Sequence, residues 1–169
     1  MPIRAPISAS SACMRIESRD SGTSLASAPL STFFNSVDHN FFGPFDPWAT
    51  YDRYSGRYFA MAEEVDSATQ QAFYLIAVST NSEPNDLNPV SAGGDWYFYS
   101  VSATHDFGAG LTWLDYPKMA TDADSVYLTG NYFRFTDNSF QRAMITRLDK
   151  EIGRIIEETS GMKGGAEKG

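Results

Sequence analysis

Apolar and aromatic residues recur along this chain with the two-residue period of β-strands. Each run is short, rich in aromatic or β-branched side chains, and bounded by turn-forming pairs such as Ser55-Gly56 and Gly93-Gly94. Five runs share these properties: RYFAMAEEV (57–65), AFYLIAVS (72–79), DWYFYSVS (95–102), SVYLTGNYF (125–133) and RAMITRLD (142–149). The pattern therefore predicts an all-β protein.

At least one of these strands needs cover on both faces. Every position from Phe73 to Val78 is apolar, whereas a half-buried strand would alternate with polar residues. Helical spacing of apolar residues is confined to 148–156, which predicts a short C-terminal helix over 148–158. One such helix cannot cover a sheet, so the covering layers must be other sheets. A β-sandwich and stacked blades of a β-propeller both meet this condition.

The distribution of aromatic residues predicts the domain boundaries. All 24 aromatics lie between Phe33 and Phe140, and large rings dominate the burial of protein cores. We therefore expect residues 1–32 to form a flexible leader, with a strand near residues 12–17 at most. Residues 33–110 are predicted to form a first blade, and residues 111–158 a second, partial blade with the terminal helix. The glycine-rich segment 159–169 is predicted to be a disordered tail.

An internal repeat favours blades over a plain sandwich. DPWATYDRYSGRYFA begins at Asp46, and DYPKMATDADSVYLT begins at Asp115. Pro47 and Pro117 are 70 residues apart, as are Asp52 and Asp122, and Tyr58 and Tyr127 are 69 apart. Two further strands follow the first copy, so one unit has four antiparallel strands, which is the composition of a propeller blade. The fold class predicted is thus about two four-stranded blades of an incomplete β-propeller.

The same segments resemble a group of uncharacterised bacterial β-propeller-like proteins. The resemblance rests on FDPWATYDRYSGRYFAMAEE, LIAVSTNSEPND, DWYFYSV, LDYPKMATDADSVYLTGNYF and RLDK, which together span about residues 45–150. It implies a secreted or surface-associated propeller that is often part of a larger protein, and it implies no catalytic residue set. The turn at 50–59 is also loosely similar to the Asp-box of sialidase-type propellers, which is a structural hairpin. Closed propellers use four to eight blades, so we expect this chain to be a truncated product.

The charge balance excludes some partners. Lys and Arg total 13 against 21 for Asp and Glu, which gives a net charge of −8 and argues against nucleic acid and anionic membranes. No apolar run reaches the 18 residues of a membrane span, and the N-terminal region has no uninterrupted apolar stretch of a signal peptide. Cys13 is the only cysteine, so no intrachain disulfide can form.

Acidic residues are the main candidates for a metal site. Calcium prefers several oxygen ligands, and the turn regions supply five carboxylates: Asp46, Asp52, Asp115, Asp122 and Asp124. Because Asp side chains also accept hydrogen bonds from nearby backbone amides, a structural role in turns is the favoured interpretation. Asp52, Ser55 and Gly56 are predicted to form one such turn. No other cofactor is predicted.

We therefore expect a non-catalytic binding or scaffold module with a protein or glycan partner, able to self-associate through uncovered blade faces. The alternative is a sialidase-like or other glycoside hydrolase, which needs two carboxylates in one cleft. Glu63 and Glu64 cannot form that pair, because adjacent strand residues point to opposite faces. Asp46 and Asp115 could converge only at the axis of a closed propeller. No catalytic residue is assigned.

Overall fold

The computed structural model of the protein describes residues 7–9, 13–17, 21–39 and 41–150. Strands make up 59% of the described residues and helices 5%, which confirms the predicted all-β class. The strands form three antiparallel sheets, of three, four and four strands. Among the described residues, no helix is long and apolar enough to cross a membrane.

Each sheet is a meander in which consecutive strands are neighbours. Sheet 1 contains β1 (Ile7–Ala9), β2 (Cys13–Glu17) and β3 (Ser24–Pro29), and a one-turn helix, α1 (Leu30–Phe33), follows it. Sheet 2 contains β4 (Phe45–Asp52), β5 (Arg57–Asp66), β6 (Gln71–Ser79) and β7 (Trp96–Ser102), with a 3-10 turn at Val90–Ala92 before β7. Sheet 3 contains β8 (His105–Asp106), β9 (Leu111–Thr121), β10 (Ser125–Arg134) and β11 (Phe140–Asp149).

The five strands predicted from the sequence are all present, and their ends agree within two residues. The fourth strand of sheet 3 was not predicted, because β8 has only two residues and lies in a segment assigned to the first blade. Most of the helix predicted over 148–158 lies outside the described residues. Its first two positions, Leu148 and Asp149, belong to β11 instead. The predicted tail at 159–169 also lies outside the described residues.

Sheet 2 is the middle layer and contributes to two separate cores. On β5, Tyr58, Ala60 and Ala62 face a core shared with sheet 1 and α1. Phe59 and Met61 face a second core shared with sheet 3. Sheets therefore lie on both faces of the central sheet, as predicted, but the one-turn helix α1 also covers one face through Leu30 and Phe33, which the sequence analysis excluded.

The flexible leader expected at residues 1–32 is wrong for the described part of that segment. Met14 and Ile16 of β2 are fully buried, and Leu30 is 3% exposed. Strand β3 carries small residues at this interface, with Ala26 and Ala28 packed against the first core. The absence of aromatic rings in residues 1–32 was misleading, because alanines let sheet 1 approach sheet 2 closely without large side chains.

Two β-bulges of the same kind occur in sheets 2 and 3. In sheet 2, Asp46 and Pro47 lie opposite the single residue Ala62. In sheet 3, Tyr116 and Pro117 lie opposite the single residue Gly130. The first residue of each bulge has a positive φ, 47° at Asp46 and 56° at Tyr116. Each strand is therefore bent at the same point before it continues to its turn.

The turns that follow the two bulges differ in length. Asp52 pairs with Arg57 across four intervening residues, whereas the Asp122 amide donates to the Ser125 carbonyl across two. The second turn is therefore two residues shorter, and not one as the sequence spacing suggested. In register, Tyr58 corresponds to Val126 instead of Tyr127.

Candidate functional site

Three carboxylates meet where the bulges of sheets 2 and 3 approach each other. Asp46 lies in the bulge of β4, Glu63 pairs with Phe45 on β5, and Asp115 precedes the bulge of β9. One oxygen from each carboxylate lies within 4.8 Å of the other two. We call Asp46, Glu63 and Asp115 the acidic triad. Sheet 2 supplies two of its members and sheet 3 supplies the third.

Glu63 is the unusual member of the triad. It has no exposed surface, and neither of its carboxyl oxygens has a hydrogen-bond partner among the described residues. Burial, together with the smaller effect of the neighbouring charges of Asp115 and Asp46, raises the pKa of Glu63 to about 9. Buried carboxyl groups in native proteins normally have hydrogen-bond or ionic partners, so the Glu63 carboxyl is an exception that requires an explanation.

The other two members of the triad are open to solvent to different degrees. Asp46 is exposed and Asp115 is half-buried. Burial raises the pKa of Asp115, and the neighbouring Asp46 charge acts in the same direction, while the Tyr116 amide opposes both by donating to Asp115 Oδ1 at 2.8 Å. The triad is thus a negative cluster with a buried end at Glu63 and an open end at Asp46.

Two tyrosine hydroxyls are buried close to the triad. The side chains of Tyr74 and Tyr132 belong to the core between sheets 2 and 3, and their hydroxyls interact with each other by a side-chain hydrogen bond. Burial raises the pKa of both hydroxyls, and the Glu63 charge contributes to each shift. The region around Glu63 therefore concentrates buried polar side chains.

Two of the predicted acidic residues serve the turns. Asp52 accepts hydrogen bonds from the Tyr54 and Ser55 amides and from the Ser55 hydroxyl. Gly56 closes this turn with a φ of 71°, a conformation that glycine adopts readily, so the turn predicted at Asp52, Ser55 and Gly56 is present. In sheet 3, Asp122 Oδ1 accepts hydrogen bonds from the backbone amides of Asp124 and Ser125. Asp124 is exposed at the tip of that turn.

A buried cation, which the sequence analysis did not identify, completes the first turn. Lys150 Nζ lies 2.6 Å from Asp52 Oδ2 and also donates to the Asp122 carbonyl oxygen at 2.6 Å. Burial would raise the pKa of Asp52, but the hydrogen bonds from Lys150, Ser55 and Tyr54 hold it below its ordinary value. Asp52 therefore already has a positive partner, which separates it from the acidic triad.

Glu64 lies on the opposite face of β5 from Glu63 and has partners. Its carboxylate accepts from the backbone amides of His39 and Phe41, and it lies 2.9 Å from the His39 ring nitrogen Nδ1. The His39 ring stacks on Phe73 with centroids 3.8 Å apart. Two adjacent glutamates on one strand are thus both fully buried, one with a full set of partners and one with none.

Glu63 was the member of the triad that sequence reasoning missed. Its position could have indicated a functional site, because Glu63 is an acidic residue on an otherwise apolar face of β5. This face of the strand points to sheet 3. Its distance from Asp46 and Asp115 depends on the register of two bulges, which the sequence pattern does not specify. Asp46 and Asp115 do converge here, at the contact between two sheets.

The outer face of sheet 3, which turns away from sheet 2, exposes several large apolar side chains. It presents Tyr116 and Ile145, which are 64% and 70% exposed. A cavity of about 380 Å³ lies on this face, lined by Tyr116, Thr129, Gly130, Asn131, Ala143, Met144 and Ile145. An aromatic row of Trp113, Phe133 and Phe140 continues the surface, with adjacent ring centroids 5.5 and 5.7 Å apart. We call this surface the outer face.

Comparison of the chain with protein-family models, with curated proteins and with solved structures gave no match. The function therefore has to be argued from the triad, the turns and the outer face.

Proposed function

We propose that this chain is a non-catalytic binding module of the propeller type, in which sheets 2 and 3 are consecutive blades and the outer face is the binding surface. The partner that fits this surface is another sheet of the same kind, provided by a second copy of the chain. The main observation behind the proposal is that the outer face corresponds, in strand register, to the face of sheet 2 that sheet 3 covers.

The correspondence follows from the strand register of the two bulged sheets. Each sheet packs the same side against the sheet before it: Tyr58 and Ala60 of sheet 2 face sheet 1, and Val126 and Leu128 of sheet 3 face sheet 2. The opposite side of sheet 2, which bears Met61 and Glu63, is covered by sheet 3. In register, Thr129 and Asn131 of the outer face take these positions.

The composition of the outer face supports an occupant. Soluble proteins rarely leave a large contiguous apolar surface open, and such surfaces mark interaction sites. The side chains of Ile145, Tyr116 and Phe140 are all more than half exposed. A second copy would bring the same apolar side chains, and the two outer faces can bury each other in a two-fold contact. This contact differs from the packing of sheet 3 on sheet 2, in which opposite sides of the two sheets meet.

A glycoside hydrolase is the alternative, and the meeting of three carboxylates favours it more than dispersed acids would. A hydrolase needs its acid and its nucleophile or base to contact the sugar. Glu63, the only member of the triad with a strongly raised pKa, has no exposed surface. A sugar ring cannot contact this group without separating sheets 2 and 3, so the module is the better-supported proposal.

Sedimentation velocity of the purified chain over a wide concentration range tests the proposal. We expect the wild-type chain to self-associate and Ile145→Lys to be monomeric, because a charge at the centre of the outer face cannot be buried without a partner. The matched control is Leu25→Lys, since Leu25 is an apolar residue on β3, 51% exposed, at the far side of the molecule.

The control should self-associate as the wild type does. A wild-type chain that stays monomeric at high concentration would overturn the proposal. Equal weakening by Ile145→Lys and Leu25→Lys would also contradict it, because the contact would then not be specific to the outer face.

A further inference from the structure

We infer that Asp46, Glu63 and Asp115 form a binding site for one calcium ion that links sheet 2 to sheet 3. This inference goes beyond the proposed binding surface, since the triad lies between the two sheets and not on the outer face. It rests on two observations: the convergence of three carboxylates, and a buried Glu63 carboxyl that has no hydrogen-bond partner in the part of the chain that the structure describes.

The separation of the oxygens fits one calcium ion. Calcium binds carboxylate and carbonyl oxygens at about 2.3–2.6 Å, so two of its ligands can lie up to about 5 Å apart. The three triad oxygens lie within 4.8 Å of one another, which satisfies that limit without movement of the backbone. Magnesium binds at about 2.0–2.1 Å, and its ligands must lie within about 4 Å of one another. Magnesium also loses its water ligands reluctantly and demands near-ideal octahedral geometry, so calcium is the expected ion.

The electrostatic surroundings of the acidic triad also favour a bound cation. None of the ion pairs among the described residues reaches Asp46, Glu63 or Asp115. Lys118, on the same strand as Asp115, places its ammonium over the Trp48 ring, 4.4 Å from the centroid. Three carboxylates at this distance repel one another in a partly buried site, and one divalent cation removes most of that repulsion.

A protonated Glu63 would not satisfy the site equally well. A neutral carboxyl group has an O–H donor that needs an acceptor, and neither Glu63 oxygen has a hydrogen-bond partner among the described residues. The exposed Asp46 provides the route by which the ion enters.

The site should bind one ion per chain. On the outer face, Tyr116 occupies the bulge position of Asp46, and Asn131 occupies the strand position of Glu63. These residues bring no negative charge, so the same ligand set cannot form there even if a further sheet covers that face. Because the site lies between sheets 2 and 3 of one chain, calcium binding should not depend on whether the chain self-associates.

Isothermal titration with calcium chloride, after treatment of the full chain with chelator, tests the inference. We expect one calcium per chain, a thermal midpoint that rises by several degrees at saturation, and a smaller rise with magnesium at the same concentration. Glu63→Gln should weaken calcium binding at least tenfold, because it removes a charge and keeps the size of the side chain. Asp46→Asn should do the same, and as an exposed position it does not endanger folding.

The matched control is Asp124→Asn, which removes the same charge from an exposed turn of sheet 3 and should leave calcium binding unchanged. The inference is overturned if the wild-type chain binds no calcium at millimolar concentration. It is equally overturned if Glu63→Gln and Asp46→Asn bind calcium as the wild type does, or if Asp124→Asn weakens binding as much as they do.

Discussion

Lys150 and Asp52 are 98 residues apart in the chain and form a buried ion pair with a distance of 2.6 Å between Nζ and Oδ2. The Lys150 side chain is 6% exposed and that of Asp52 is not exposed at all. The pair joins the residue after β11 in sheet 3 to the first turn of sheet 2, and Thr121 adds a hydrogen bond to Asp52 Oδ1 at 3.2 Å. One turn of sheet 2 thus depends on a residue that follows the last described strand.

Replacing Lys150 by Met should lower the free energy of unfolding by about 3–5 kcal/mol, because the change leaves a buried carboxylate without its counter-charge. Urea denaturation followed by tryptophan fluorescence measures this value. Lys118→Met is the control, since Lys118 is exposed, and it should cost less than about 1 kcal/mol. A loss below about 1 kcal/mol for Lys150→Met would contradict the structural role of the pair.

The same pair predicts a dependence of stability on pH. The folded pKa of Asp52 is lowered, so its contribution is complete above the unfolded pKa of about 3.9 and is lost as the pH falls through the folded value. The difference in stability between the wild type and Lys150→Met should therefore be constant near neutral pH. It should shrink below about pH 4. A difference that stays constant down to pH 2 would argue against a charged pair.

Gly56→Val should destabilise the protein by about 1–3 kcal/mol, because Gly56 has a φ of 71° that a β-branched residue adopts only under strain. The nearest atom to a new Cβ would be the Tyr51 hydroxyl oxygen at 3.6 Å, so the cost comes from the backbone and not from a clash. Ala123→Val, in the exposed turn of sheet 3 without a positive φ, is the control and should change the thermal midpoint little. Equal effects of the two substitutions would refute the argument from backbone strain.

The adjacent glutamates of β5 should respond differently to the same substitution in the presence of chelator. Glu64→Gln should cost about 1–3 kcal/mol, because an amide cannot accept hydrogen bonds at both ends, as Glu64 does from His39 and Phe41. Glu63→Gln should change stability by less than about 1 kcal/mol, since no hydrogen bond is lost. Thermal melts of the two variants provide the comparison. A larger loss for Glu63→Gln would mean that the buried carboxyl has a partner without calcium.

The sequence pattern predicted the strands well because each strand carries its own signal. Residues 72–78 are apolar on both sides, and this is enough to predict a covered sheet wherever the neighbours come from. Sheet 1 was not predictable in this way. Its contribution to the core comes from Met14 and Ile16 opposite small residues, and the aromatic cover is supplied by Phe33 and Phe34 just after it.

The triad and the Lys150 pair depend on distances that local pattern does not encode. Asp46 and Asp115 are close because both strands are bulged at the same point, and Glu63 joins them through its register with Phe45. Lys150 reaches Asp52 only after β11 has paired along the whole length of β10. Sequence reasoning identified Asp46, Asp52 and Asp115 as candidates, but it could not separate the carboxylate with a cation from those without one.

The position of sheet 2 between two cores has a consequence for how the protein unfolds. Met61 and Ala62 are consecutive residues of β5 that lie in different cores, so neither core can open without disturbing the strand that the other requires. The described residues should therefore unfold in a single cooperative thermal transition, with a calorimetric enthalpy equal to the van't Hoff enthalpy. Sheet 1, despite its few large side chains, would then melt at the same temperature as sheet 3.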